Sequence, residues 1–310
     1  MTRPAMPQQD AGAGNKAVIL RFIDALNNEG KTDEILERLT SSPALKNKAA
    51  SYEARYPGFQ ISPVDLVAER DLVAIRFFTD FGTTAVASRP TEEAGRDEAR
   101  PERVEAIAIC RLAGGRVTEF WYESDVLGQV IAVGGQHPTD AHRARANRSK
   151  TDRAGNSFDG HDGAGINEDR EANRSLILRY LSALNNQEKT LELIERFASD
   201  PVLAGRIFAF ESGFPGYSLL ADEIIAEGDK VVVRFHTTQR HTREYMGIPA
   251  TGKGFSISGI IICRIEKGLI AESWLQADTW ALTQELEEGP AREKKSKPQC
   301  PEWRSFLADL

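Results

Sequence analysis

Residues 24–43, DALNNEGKTDEILERLTSSP, and residues 182–201, SALNNQEKTLELIERFASDP, are two versions of one phrase. Sliding the chain against itself by 158 positions sets Asn27 and Asn28 over Asn185 and Asn186, Asn15 over Asn173, and Pro43 over Pro201. The register holds without a gap through YPGF (56–59) against FPGY (214–217) and AERDLVAIRFFT (68–79) against AEGDKVVVRFHT (226–237). The first copy then runs five residues longer, after which ICRLAGGRVTEFWYESD (109–125) aligns with ICRIEKGLIAESWLQAD (262–278). A period this long lies far above the roughly 20 to 50 residues of solenoid repeats, so the chain holds two duplicated domains rather than a stacked array.

Each copy reads alike. Val18, Ile19, Phe22, Ile23 and Leu26 recur at helical spacing and stop at the Asn pair, which suits a helix C-terminus. A second helix is predicted over 31–40 and a third from Pro43. The tail of each copy changes to β-rich runs such as VVVRFHTT, FSISGIIICRI and LIAESWLQAD, joined by turn signals. Helices followed by antiparallel strands predict an α+β domain, and a sheet curled over helices encloses a pocket. The expected organisation is a disordered N-terminus over 1–14, a first and more degenerate domain over 15–133, a flexible linker over 134–172, a second domain over 173–288 and a charged tail over 289–310. The linker stretch has few large apolar residues and cannot offset its ordering entropy. A coil of its length spans on the order of 35 Å, ample for the two copies to pack as an intramolecular pseudo-dimer.

Composition narrows the partners. A formal net charge of −7 offers no general attraction to nucleic acid or anionic membranes. No apolar run is long enough to span a bilayer, and the first residues lack the apolar core of a secretory signal, so a cytoplasmic location is expected. Three scattered cysteines, Cys110, Cys263 and Cys300, have no metal-ligand spacing and read as reduced thiols.

Residues 241–286 carry the most specific pattern: His241 in a TH-x-G-E-F-type position, the turn GIPATGK, the strand GLIAESW, and Asp278 before a leucine-rich, glutamine-containing ending. This run strongly resembles the SnoaL-like polyketide cyclase family of the nuclear transport factor 2 superfamily, and the first copy resembles it more weakly. The resemblance implies tandem cone-shaped α+β barrels, each with N-terminal helices packed on a curved antiparallel sheet. It also implies a pocket lined by the sheet, frequent dimerisation, no metal or organic cofactor, and an acid/base carboxylate at Asp278.

The residues supply candidates for that chemistry. On an extended strand Glu272, Trp274, Gln276 and Asp278 share one face, so an inward Asp278 brings the other three with it as substrate contacts. A carboxylate beside a Trp in an apolar cone is desolvated, which raises its pKa and suits it to enolisation, aldol closure or isomerisation. Alternatively Asp278 caps the helix that follows. His241 and His236 are candidate partners that would polarise a carbonyl or share a proton; otherwise they are ordinary strand and loop residues. Arg234, with its equivalent Arg76, would hold an anionic group or form structural ion pairs. Trp121 and Asp125 answer Trp274 and Asp278 in the first copy. The functional expectation is a cofactor-independent cyclase, lyase or isomerase acting on a small apolar carbonyl compound, polyketide- or terpenoid-like. The alternative is a non-catalytic ligand-binding or assembly module, because fold alone does not choose between functions.

Overall fold

The computed structural model describes residues 8–81, 103–124 and 166–287. The first repeat contributes helices α1 (Gln8–Asn28), α2 (Asp33–Leu39) and α3 (Pro43–Arg55), then strands β1 (Gln60–Glu69), β2 (Leu72–Asp80), β3 (Arg103–Ala113) and β4 (Arg116–Ser124). The second repeats the order with α4 (Ile166–Asn186), α5 (Leu191–Glu195), α6 (Pro201–Gly213), β5 (Ser218–Glu227), β6 (Lys230–Arg240), a two-strand-residue β7 (Gly254–Phe255), β8 (Ser258–Glu266), β9 (Leu269–Ala277) and a closing α7 (Thr279–Glu287). Both sheets are antiparallel, with strand orders β1-β2-β3-β4 and β5-β6-β8-β9, and β7 pairs with β6. Helix α1 begins inside the stretch expected to be disordered, and α4 begins inside the expected linker. Most of that linker, the charged tail, Asp125 and Cys300 lie outside the described residues.

The duplicated phrase is a set of caps and clamps. Thr32 and Thr190 accept the backbone N–H of Ile35 and Leu193 to start the short second helix of each repeat. Ser42 and Asp200 cap the third helix, with Pro43 and Pro201 in its first turn, where a missing N–H costs nothing. The first Asn of each pair joins helix to sheet: Asn27 Oδ1 accepts from Ile61 N at 2.9 Å and its Nδ2 donates to Ile61 O at 2.9 Å. Asn185 does the same with Leu219 at 2.8 Å in both directions. The PG turns need a left-handed residue, supplied by Gly58 at φ 77° and Gly216 at φ 70°.

Alternate residues of each strand face opposite ways. Val73, Ile75, Phe77, Ala106, Ala108 and Cys110 join Ile19, Phe22 and Leu26 in the first core, as Val231, Val233, Phe235 and Cys263 join Ile177, Tyr180 and Leu184 in the second. The other faces meet each other: Val67, Leu72, Ala74, Ile107 and Ile109 pack with Ile225, Val232, Ile260 and Ile262, flanked by Trp121 and Trp274.

Contacts across this seam are reciprocal. Glu227 accepts the backbone N–H of Ala68 at 2.8 Å, and Glu69 accepts that of Ala226 at 3.0 Å. Lys16 pairs with Glu227, and Arg174 with Glu69. The Arg76 guanidinium lies 4.5 Å from the Trp274 ring centroid, and that of Arg234 lies 4.9 Å from Trp121. Each contact is the other with the two copies exchanged. Burial pushes both described thiols, Cys110 and Cys263, up to about 12, so they are inert.

Candidate functional site

Strand β6 and its continuation carry the polar residues of the second cone. Val231, Val233 and Phe235 point into the core, and continuing the alternation points Thr237, Gln239 and His241 the same way. Thr237 is 3% exposed, Gln239 9% and His241 fully buried, so this polar row is removed from solvent. Apolar rings surround it: the His241 imidazole sits 5.3 Å from the Phe214 ring, which in turn contacts Tyr245 at 4.7 Å and Phe255 at 5.3 Å. Leu282 and Leu286 of α7 pack on Phe214, Tyr217 and Ile257. Two side chains fold closely over glycines that admit no Cβ, Tyr245 on Gly213 and Phe235 on Gly259.

The hydrogen bonds fix the state of His241. Its Nδ1 accepts the backbone N–H of Thr251 at 3.2 Å, so the neutral ring carries its proton on Nε2. Burial lowers its pKa, which keeps the ring neutral near pH 7. The GIPATGK turn therefore orients the imidazole. Nε2 is buried and finds no partner among the described residues, and both amide atoms of Gln239 are in the same position. Buried donors without acceptors are rare because each costs about 1–3 kcal/mol. The row can therefore receive a carbonyl oxygen.

The expected strand set lies elsewhere. Glu272, Trp274 and Gln276 do share a face with one another, but it is the face turned to the first repeat rather than the cone interior. Trp274 packs in the seam under Arg76, and Glu272 is exposed and accepts from Arg264 Nε at 3.0 Å. The strand packs on both sides, Leu275 in the cone and Trp274 against the other sheet, so alternation alone does not say which face lies inward. Asp278 accepts the backbone N–H of Ala281 at 2.9 Å, which is the capping alternative. His236 is 39% exposed at its side chain and meets Asp222 through Nδ1 at 2.8 Å. Arg234 also pairs with Asp222, at 3.5 Å, and Arg76 with Glu105 at 2.9 Å. His236 stands opposite Ser258 in the sheet, and Asp278 donates its backbone N–H to Ser258 O at 3.1 Å. The structure thus brings His236 and Asp278 into one row at the edge of the seam, with His241 separate on the inner side of the sheet.

That row meets Glu123 of the first repeat, whose carboxyl accepts from Ser258 Oγ at 2.6 Å. Burial pushes Glu123 up to about 7, against the Ser258 hydrogen bond, with Asp278 adding to the rise and Lys48 and Arg234 opposing it. Lys48 itself lies over two rings, 4.4 Å from Tyr122 and 4.9 Å from Tyr52, whose hydroxyls meet at 3.1 Å.

Residues 203–286 match the family model of the SnoaL-like polyketide cyclases. That match lies within the second repeat. Solved structures similar to the chain include TsrD from Streptomyces laurentii, 28% identical over 38% of this chain and 96% of that one, with a TM-score of 0.33. AclR from Streptomyces galilaeus is 23% identical over 39% of this chain and 99% of its own, with a TM-score of 0.36. A SnoaL-like polyketide cyclase from Agrobacterium tumefaciens is 15% identical over 37% and 97% of the two chains, with a TM-score of 0.32. No curated protein matches the sequence. Among the described residues, no helix is long and apolar enough to cross a membrane.

Within the second repeat, sequence reasoning named His241 but passed over Gln239 and Arg206. Gln239 shares the period of two with His241, and the repeat register sets it against Phe81, so a polar-for-aromatic exchange on an inward strand position was the available signal. Arg206 on α6 answers Lys48 in the same register. Burial lowers its pKa while Asp200 and Glu105 oppose that, and the guanidinium remains charged.

Proposed function

We propose that the second repeat takes a small, mainly apolar carbonyl compound into its cone and acts on it without a cofactor, in the manner of a SnoaL-like cyclase or isomerase. The observation that carries this reading is the buried, unpartnered Nε2–H of His241 beside the unpartnered amide of Gln239. A carbonyl oxygen accepting from either donor becomes more electron-poor at carbon, which eases loss of an adjacent proton and stabilises the enolate that forms. His241 is held neutral, so it donates a hydrogen bond without transferring its proton, and the surrounding rings exclude water and strengthen that bond. Asp278 is the proposed proton acceptor; because it stands at the edge of the seam and not on the inner side with His241, it serves only a ligand that reaches round the end of β9. The first repeat serves as partner in an intramolecular pseudo-dimer, a role supported by the reciprocal contacts of Glu69 and Glu227.

One observation favours the non-catalytic alternative. An Asp278 oxygen is already engaged in capping α7, which a free base would not need. The two readings separate with 2-acetylnaphthalene, whose methyl protons exchange with deuterium only through an enol. The enzyme reading expects the protein to bind it and to accelerate exchange followed by proton NMR, with Asp278→Asn abolishing the acceleration and His241→Phe abolishing binding. Binding without accelerated exchange would leave the ligand-binding module; absence of binding would sink both.

A further inference from the structure

The two repeats place a cation at the same point of their third helix and treat it differently. In the first, Lys48 is satisfied over the rings of Tyr52 and Tyr122, with the charges of Glu123 and Asp278 in reach. In the second, the equivalents of those two rings are Phe210 and Leu275, and the cation is Arg206. Its Nη1 is buried and without a hydrogen-bond partner among the described residues. The two acids that influence it are committed elsewhere. Asp200 accepts from Val202 N at 2.9 Å and from Ser273 Oγ at 2.5 Å, while Glu105 is paired with Arg76 at 2.9 Å.

Arg206 therefore has a buried Nη1 that lacks an acceptor among the described residues, at one prong of a planar fork built to bind an anion. It precedes Phe210 by one helical turn, so the two side chains are neighbours on α6. Phe210 packs at 4.6 Å on Phe214, the ring that touches His241. The cation and the carbonyl-receiving row thus border one aromatic cluster.

Resting on the reading of the second cone as a carbonyl site, we infer that its ligand also carries an anionic group, a carboxylate or an acidic enol, which Arg206 receives while the carbonyl end meets His241 and Gln239. The substrate class is then an apolar keto acid or an acidic aromatic ketone rather than a neutral ketone. Recognition is divided: rings hold the body, neutral donors take the carbonyl, and the guanidinium selects the charge.

The test compares two probes of one shape, 6-acetyl-2-naphthoate and 2-acetylnaphthalene, by calorimetry on the full chain. The wild type is expected to bind the acid about tenfold or more tightly than the ketone, the range of a hydrogen bond to a charged group. Arg206→Gln should remove that preference and leave ketone affinity within about twofold, and Arg206→Lys should restore part of it. Thermal melts of each variant confirm folding. Equal binding of both probes by the wild type, or an unchanged preference in Arg206→Gln, overturns the inference while leaving the carbonyl site standing. Binding of neither probe defeats the carbonyl site itself, and this inference with it.

Discussion

The inner faces of the two cones differ where their scaffolds agree. Asn27 and Asn185, Lys31 and Lys189, and Glu69 and Glu227 make matching contacts, and Lys31 and Lys189 even sit 4.4 Å from equivalent rings, Phe59 and Tyr217. The interiors diverge. In the first cone Phe81 packs tilted on Tyr56 at 4.1 Å and joins Tyr52, Phe59 and Val104 in one aromatic plug, and the hydroxyls of Tyr52 and Tyr122 meet at 3.1 Å. In the second, Gln239 replaces Phe81 and Phe210 replaces Tyr52, leaving buried polar atoms that nothing in the described chain meets. Such atoms are rare in cores selected for stability, and on the proposed reading those of Gln239 and His241 await a ligand. The packing frame recurs in both repeats while the interiors differ.

The strongest way to break this comparison is to give the second cone the first cone's filling. Gln239→Phe is expected to lower 2-acetylnaphthalene affinity by about a hundredfold or more, because a ring occupies the space and removes a donor. It should also stabilise the fold by roughly 1–3 kcal/mol as two unpartnered polar atoms leave the interior. Calorimetry and urea unfolding measure the two effects, and a stable variant with intact binding would refute the assignment of the inward row.

The scaffold is expected to respond evenly. Asn27→Ala and Asn185→Ala should each cost about 1–3 kcal/mol, since each strands the N–H and C=O of one strand residue at the helix junction. Urea unfolding that finds one of them neutral would show that the two frames are not equivalent.

Glu123 sharpens the comparison at the seam, because its equivalent in the second copy is Gln276. Its pKa is about 7 in the folded protein against 4.5 unfolded, so the folded state binds more protons between those values. Stability is accordingly greatest below pH 4.5 as far as this group is concerned and falls as the pH rises through about 7, by on the order of 2 kcal/mol after allowance for its partial exposure. Glu123→Gln should flatten that slope in urea titrations across pH. An unchanged slope would mean the carboxyl is solvated. The smallest effect belongs to His236→Ala, expected within about 0.5 kcal/mol in stability and without change in ketone binding, in contrast to His241→Phe.

Much of the fold was legible because local chemistry determines it. The Asn pairs mark where α1 and α4 end, and the prolines mark where α3 and α6 begin, although α1 and α4 start earlier than expected. The period of two in GLIAESWLQAD was legible too, but not which face turned inward. The run Val231–Val233 puts valine on both faces of β6, since one packs in the cone and the other on the first repeat's sheet, so hydrophobicity carried no sign. That ambiguity moved Trp274, Gln276 and Glu272 from the expected pocket to the seam. His241 escaped it because its loop motif, rather than strand alternation, identified it. Gln239 and Arg206 went unread because an isolated polar residue acquires meaning only when its neighbours are seen to leave it unsatisfied.

The most direct measurement is a crystal structure of the full chain with 2-acetylnaphthalene bound. The account predicts one molecule in the second cone, its carbonyl oxygen within hydrogen-bond distance of His241 Nε2, and none in the first. A ligand seated against Tyr52 and Phe81, or a carbonyl turned away from both His241 and Gln239, would contradict it.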